Sequence, residues 1–185
     1  MAKRPAPAPR RHTKATTRPA TRRATKGVRP VPAGYHTVTP YLTVQDAAQA
    51  IDFYGRAFGA REKQRMPGPG GKIMHAELQI GDSVVMLSDE FPGMSGSRSP
   101  QSLGGTSGYL FLYVPDVDAM FRRAVDAGAK VGMPLTDMFW GDRFGKILDP
   151  FGHTWGLATH KEDVSPEEMG RRQRDALAAM ANRPS

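Results

Sequence analysis

Apolar residues along this chain recur at two periods, and the switches between those periods mark out one plan used twice. Residues 36–44, HTVTPYLTV, alternate as a strand does, with Val38, Pro40, Leu42 and Val44 on one face and Thr39, Tyr41 and Thr43 on the other. Pro40 suits an edge strand or a bulge. Asp46 then stands where a helix N-cap belongs. Ala47, Ala50, Ile51, Tyr54 and Phe58 follow at helical spacing, and Gly59 is a natural stop. A loop rich in Gly and Pro covers 66–71, and two strands are expected at 72–80 and 83–88, joined by Gly81-Asp82.

The second half repeats this order. Residues 109–114 alternate, and Asp116 opens a helix carrying Val117, Met120, Phe121, Ala124 and Val125 that ends at Gly128. Strands are expected near 130–134, 143–149 and 153–158. Setting Asp46 against Asp116 brings Tyr41-Leu42 near Tyr109-Leu110, and Gly59-Ala60 meets Gly128-Ala129 with a one-residue slip. A duplicated βαβββ unit leaves such self-similarity, and the fold class is α+β. The modules span 33–90 and 107–164, within one domain of residues 33–164. Between them, DEFPGMSGSRSPQSLGGTS at 89–107 reads as a linker. At 165, Ser-Pro-Glu-Glu opens a C-terminal helix over 165–182, with Ser165 as cap, Pro166 in the first turn and Glu168 closing a capping box.

The same alternation sorts the strand faces. Leu110, Leu112 and Val114 are expected beneath the second helix, and Met74, Ala76, Leu78 and Ile80 are expected to point inward as well. The opposite face presents Tyr41, His75, Glu77, Met86, Tyr109, Phe111 and Tyr113, a polar and aromatic lining suited to a small organic ligand or to a closed interface. The stretch 138–145 adds Trp140, Asp142 and Arg143. Arg143 suits a carboxylate or phosphate, with Asp142 as its partner when no ligand is bound; a salt bridge fixing the loop is the alternative. His75 and Glu77, two apart on one strand, are the pair nominated for proton transfer.

Charge changes the picture only at the start of the chain. The formal net charge is +8, yet residues 1–30 hold ten Lys and Arg with no Asp or Glu, while the remainder holds 16 basic and 18 acidic residues. Residues 1–32, rich in Ala, Pro, Thr, Lys and Arg, are expected to be disordered, since they carry little apolar surface to offset the entropy of ordering. Their charge suits non-specific nucleic-acid phosphate; a transit peptide and a solvated appendage are the alternatives, and the prolines oppose the amphipathic helix of the former. The chain has no cysteine, which excludes disulfides, thiolate metal sites and a cysteine nucleophile. No apolar run reaches the ~20 residues that span a bilayer, and no apolar segment follows the charged start as in a secretory signal. The expectation is a cytoplasmic protein with no membrane partner. No P-loop, dinucleotide fingerprint or Ser-His-Asp order is present.

The string from Ala50-Ile51-Asp52-Phe53-Tyr54 to Phe58-Gly59-Ala60 resembles the first helix of vicinal-oxygen-chelate proteins, the glyoxalase/bleomycin resistance protein/dioxygenase superfamily. Asp149-Pro150-Phe151-Gly152-His153-Thr154-Trp155 resembles that superfamily's last hairpin. Phe139-Trp140-Gly141-Asp142-Arg143-Phe144-Gly145 with Ala158-Thr159-His160-Lys161-Glu162-Asp163-Val164 resembles its PhnB-like branch. The resemblance covers about residues 33–168. It implies two βαβββ modules forming a cleft-bearing mixed sheet, often in a homodimer, and in the metal-dependent members one divalent ion held by four side chains. Carried over, those four positions fall at Thr39, Met86, Tyr109 and Gly156, a set that does not suit a divalent ion. No metal and no other cofactor is therefore expected; a relocated site using His75 and Glu77 is the alternative.

Three functions follow as expectations: a metal-free small-molecule binder in the clefts of a homodimer; a lyase, isomerase or dioxygenase type of enzyme with a relocated metal or a metal-free site using His75, Glu77 or Arg143; and a nucleic-acid-associated protein acting through the basic segment.

Overall fold

The computed structural model describes residues 28–94 and 96–181. The chain divides at Pro30–Val31 into two units. Of the first, residues 28–30 are described and are exposed. The expectations placed on the basic segment, both its disorder and its nucleic-acid partner, fall chiefly on residues 1–27, which lie outside the described ones.

The second unit contains the duplicated plan. Strand β1 (Tyr41–Val44), helix α1 (Ala47–Phe58) and strands β2 (Arg61–Pro67), β3 (Ile73–Ile80) and β4 (Ser83–Asp89) form the first module. A short helix α2 (Pro100–Leu103) follows. Strand β5 (Tyr109–Tyr113), helix α3 (Val117–Asp126) and strands β6 (Lys130–Asp137), β7 (Asp142–Leu148) and β8 (Thr154–His160) form the second, and helix α4 (Pro166–Ala181) ends the described chain. Each module makes its own four-stranded sheet, in the orders β1-β4-β3-β2 and β5-β8-β7-β6. The first strand of each pairs in parallel with the last, and the remaining pairs are antiparallel.

The helix signals act as read. Asp46 accepts from the Gln49 amide at 2.9 Å and Asp116 from the Ala119 amide at 2.9 Å, each capping its helix. Gly59 closes α1 in the left-handed region, at φ 68°, where a side chain is disfavoured. Helices α1 and α3 lie against one another and cover one face of each sheet. Tyr54, Phe53, Phe58, Phe151 and Trp155 interlock where the modules meet, with Phe58 and Trp155 centroids 4.7 Å apart. Full burial of a side chain such as Phe53 or Leu157 stabilises by ~1.5–3 kcal/mol.

Four expectations need correction. The first strand begins at Tyr41, not His36. Pro40 has no amide to donate, the Thr39 hydroxyl turns back onto the His36 carbonyl, and Val38 is 82% exposed. Met74 does not pack inward; Ile73 does. Met66 pairs with His75 and Pro67 with Ile73, so Met74 is an extra residue and reverses the alternation. Strand β2 takes in the start of the loop placed at 66–71. It is an edge strand, exposed throughout and mostly charged, so it carries no apolar period. The linker contains α2, whose cap residue Ser99 is buried against Glu90.

Candidate functional site

The candidate residues fall into two clusters, one on each sheet, on the faces turned away from the helices. On the first sheet, β1 carries Tyr41 and β3 carries His75 and Glu77. Tyr41 Oη lies 3.1 Å from His75 Nδ1, and His75 Nε2 lies 3.2 Å from Glu77 Oε1. Gln64 Nε2 donates to the same carboxylate at 2.7 Å, and the Tyr35 hydroxyl donates to its other oxygen. Glu77 is buried. Burial pushes its carboxyl up, but the hydrogen bonds from Tyr35, His75 and Gln64 outweigh that and hold it below the usual carboxylate range. An ionised Glu77 accepts only, so the His75 proton sits on Nε2. In the neutral ring Nδ1 is then free to accept from the Tyr41 hydroxyl. The chain of donors runs from Tyr41 through His75 to Glu77.

Tyr41 also lines a pocket of about 350 Å³ with Met74, Ser88, Phe91, Met94 and Ser97. The extra residue in β3 turns Met74 into this pocket, and β4 supplies Ser88. Tyr41 therefore joins a largely apolar pocket to the His75–Glu77 pair.

On the second sheet, the period of β5 leaves Tyr109 48%, Phe111 39% and Tyr113 65% exposed. Phe144 of β7 stacks on Phe111, centroids 5.2 Å apart and planes within 4°. Lys146 Nζ sits 4.3 Å above the Tyr109 ring. Asp142 is buried at one end of this face. It accepts from Tyr113 Oη at 3.0 Å and Trp140 Nε1 at 3.0 Å, and contacts His160 Nδ1 at 2.8 Å. Burial pushes the Asp142 carboxyl up, and bonds from His160, Tyr113 and Trp140 bring it below the usual range. Asp163 and then Asp142 push the His160 imidazole up.

Tyr41, His75 and Glu77 thus come together, as do Tyr109, Phe111, Tyr113, Trp140 and Asp142. No hydrogen bond or ring contact among the described residues joins the two clusters. Arg143 belongs to neither. It alternates with Asp142 and Phe144, so its guanidinium turns to the helix side and pairs with Asp118 of α3 at 2.7 Å and Asp137 at 3.2 Å. Asp142 is not its partner. Sequence reasoning missed Tyr35, Gln64, Phe144, Lys146 and His160. Phe144 and Lys146 were available from the alternation of β7, two and four residues after Asp142, whereas Gln64 sits on a strand without an apolar period.

The positions that the resemblance assigns to a divalent ion do not fit one. Thr39 lies in the turn before β1, and Met86 is a soft thioether. At Gly156 a Cβ would stand 3.0–3.1 Å from the rings of Phe144, Tyr109 and Phe111, so aromatic carbon fills the space a fourth ligand would need. Among the described residues no group of three or more His, Asp or Glu is placed to hold a metal ion. No helix among them is long and apolar enough to cross a membrane.

An uncharacterized protein of Mycobacterium bovis is 51% identical over 134 residues, which are 71% of this chain and 88% of that protein. The structure is similar to that of TioX from Micromonospora sp. ML1, with 34% identity, 66% of this chain and 97% of that one covered, and a TM-score of 0.55. A PhnB protein of Bacillus cereus shares the fold at 18% identity, over 67% of this chain and 99% of that one, with a TM-score of 0.53. The superfamily's sequence profile matches residues 34–157. With its two βαβββ modules, the chain belongs to the glyoxalase/bleomycin resistance protein/dioxygenase superfamily.

Proposed function

We propose that this protein binds a small organic molecule without a metal ion, in clefts completed by a second copy of the chain. The observation that carries this reading is the collapse of Tyr109, Phe111 and Phe144 around Gly156, where aromatic carbon stands in place of a ligand set. Three half-exposed aromatic side chains in one row offer stacking area to a ligand and a face for a second copy to cover. Chelator-treated protein is expected to keep its melting temperature when Zn, Mn, Ni, Co or Fe is added, because an ion bound only by the folded state would raise it. A small-molecule thermal-shift screen is expected to give hits that weaken on Tyr109→Ala while the unliganded variant stays folded. One tightly held ion per chain, lost on His75→Ala, would overturn the metal-free reading. Unfolding or monomerisation of Tyr109→Ala would assign the aromatics to core or interface.

A second reading is metal-free acid–base catalysis, favoured by the Tyr41–His75–Glu77 chain beside the pocket. Under it, His75→Ala abolishes turnover of a screening hit while the hit still binds. Turnover that survives His75→Ala removes this reading.

A further inference from the structure

The cation among the rings of the second sheet says what kind of ligand that face takes. Lys146 of β7 lies opposite Gly156 of β8, which lies opposite Phe111 of β5, so the three form one row across the sheet. The middle position has no side chain, and the rings of Tyr109, Phe111 and Phe144 close over it. Lys146 Nζ is held 4.3 Å from the Tyr109 centroid and 6.0 Å from that of Phe144. None of the ion pairs among the described residues includes Lys146, whereas Arg143, three strand positions away and on the opposite face, is committed to two carboxylates. The buried carboxylate at the end of the face, Asp142, already has Tyr113, Trp140 and His160 as partners.

Ring faces carry negative quadrupole density, so an aromatic platform alone favours neutral or cationic ligands. A lysine without a carboxylate partner, seated among the rings, reverses that preference. We propose that the cleft face of the second sheet binds planar aromatic anions, of the aryl carboxylate class. The ligand's ring stacks on the Tyr109–Phe111 row and its carboxylate pairs with Lys146. This rests on the small-molecule reading above and adds the charge and shape of the ligand. A carboxylate meeting Lys146 over apolar rings is partly dehydrated, so the pair is stronger there than in open water.

The test uses 2-naphthoate and its neutral isostere 2-naphthamide as probes, titrated into the full chain by calorimetry. Naphthoate is expected to bind roughly fivefold more tightly than naphthamide, the upper end of what a single exposed ion pair gives, and to weaken with added salt. Lys146→Met keeps the apolar stem and the basic segment of residues 1–30, so only the charge over the rings is lost. It is expected to lower naphthoate affinity to that of naphthamide and leave naphthamide unchanged, while Lys146→Arg retains the preference. Equal binding of the two probes, or a Lys146→Met variant that binds naphthoate as before, overturns the inference and leaves the small-molecule reading standing. If neither probe binds, the inference falls, and the wider reading is judged by its own screen. If Lys146→Met changes the oligomeric state in sedimentation instead of probe affinity, the occupant of the face is a second copy and the inference is wrong.

Discussion

Replacing Asp149 tests how the two modules are held together. Its side chain is buried and takes four hydrogen bonds. Oδ2 accepts from Tyr54 Oη of α1 at 2.8 Å and Trp155 Nε1 of β8 at 2.9 Å, and Oδ1 accepts from the amides of Phe151 at 2.9 Å and His153 at 2.8 Å. One carboxylate thus ties the first helix of one module to the last strand of the other. Asp149→Ala orphans four buried donors at ~1–3 kcal/mol each, a loss comparable with the ~5–15 kcal/mol that holds a domain folded. Asp149→Asn is the measurable variant. Its amide oxygen keeps the Phe151 and His153 bonds, and the Tyr54 hydroxyl can reverse to accept from the new NH2. The Trp155 N–H can only donate, so it is left facing another donor. One orphaned donor plus the weakening of the remaining bonds gives about 3 kcal/mol, or a fall in Tm of roughly 6–12 °C for a domain of this size. Tyr54→Phe, which keeps the ring and loses one bond, is expected to cost about 1 kcal/mol. Urea unfolding followed by tryptophan fluorescence measures both. A cost below about 1 kcal/mol for Asp149→Asn would refute the idea that Asp149 joins the modules.

Three further outcomes are expected. Hydrogen bonds from Ser102 and Ser99, with Arg98 nearby, lower the Glu90 carboxyl from 4.5 to about 2. Because the folded value lies below the unfolded one, the stabilisation is complete above about pH 4.5 and is lost as pH falls through about 2. The protection of the amides in residues 99–104, their exchange rate relative to the intrinsic rate at the same pH, should fall in that window, and Glu90→Gln should remove the pH dependence of that protection; equal protection at pH 5 and pH 2.5 contradicts it. Gly156→Ala pushes a methyl group against three rings and should cost ~1–3 kcal/mol in chemical denaturation, with an unchanged midpoint counting against the packing described. Deleting residues 1–30 should leave melting unchanged and remove salt-sensitive binding to DNA or RNA, since the rest of the chain holds 16 basic and 18 acidic residues; gel shifts showing equal binding by the shortened chain would refute it.

The sequence by itself determined the duplicated module, the helix caps and which face of most strands points inward. These features are local. A cap needs one Asp within a turn of the amides it serves, and strand faces follow from a period of two whatever lies across the sheet. The unsuitability of Thr39, Met86, Tyr109 and Gly156 for a divalent ion was legible as well, because donor chemistry is a property of residue type. Only the tertiary structure decided the rest. A bulge reversed the side taken by Met74, and no count of residues in one strand reveals the register of its neighbour. Alternation along β7 puts Arg143 on the helix side, but its pairing with Asp118, 25 positions away in the chain, depends on where α3 lies. The Tyr41–His75–Glu77 chain needed β1 and β3 brought to either side of β4, and the row Lys146, Gly156, Phe111 needed three strands set in register. Each of these sites depends on hydrogen-bonded pairings between residues distant in the chain. Hydrophobic period fixes which way a side chain points but not what it meets.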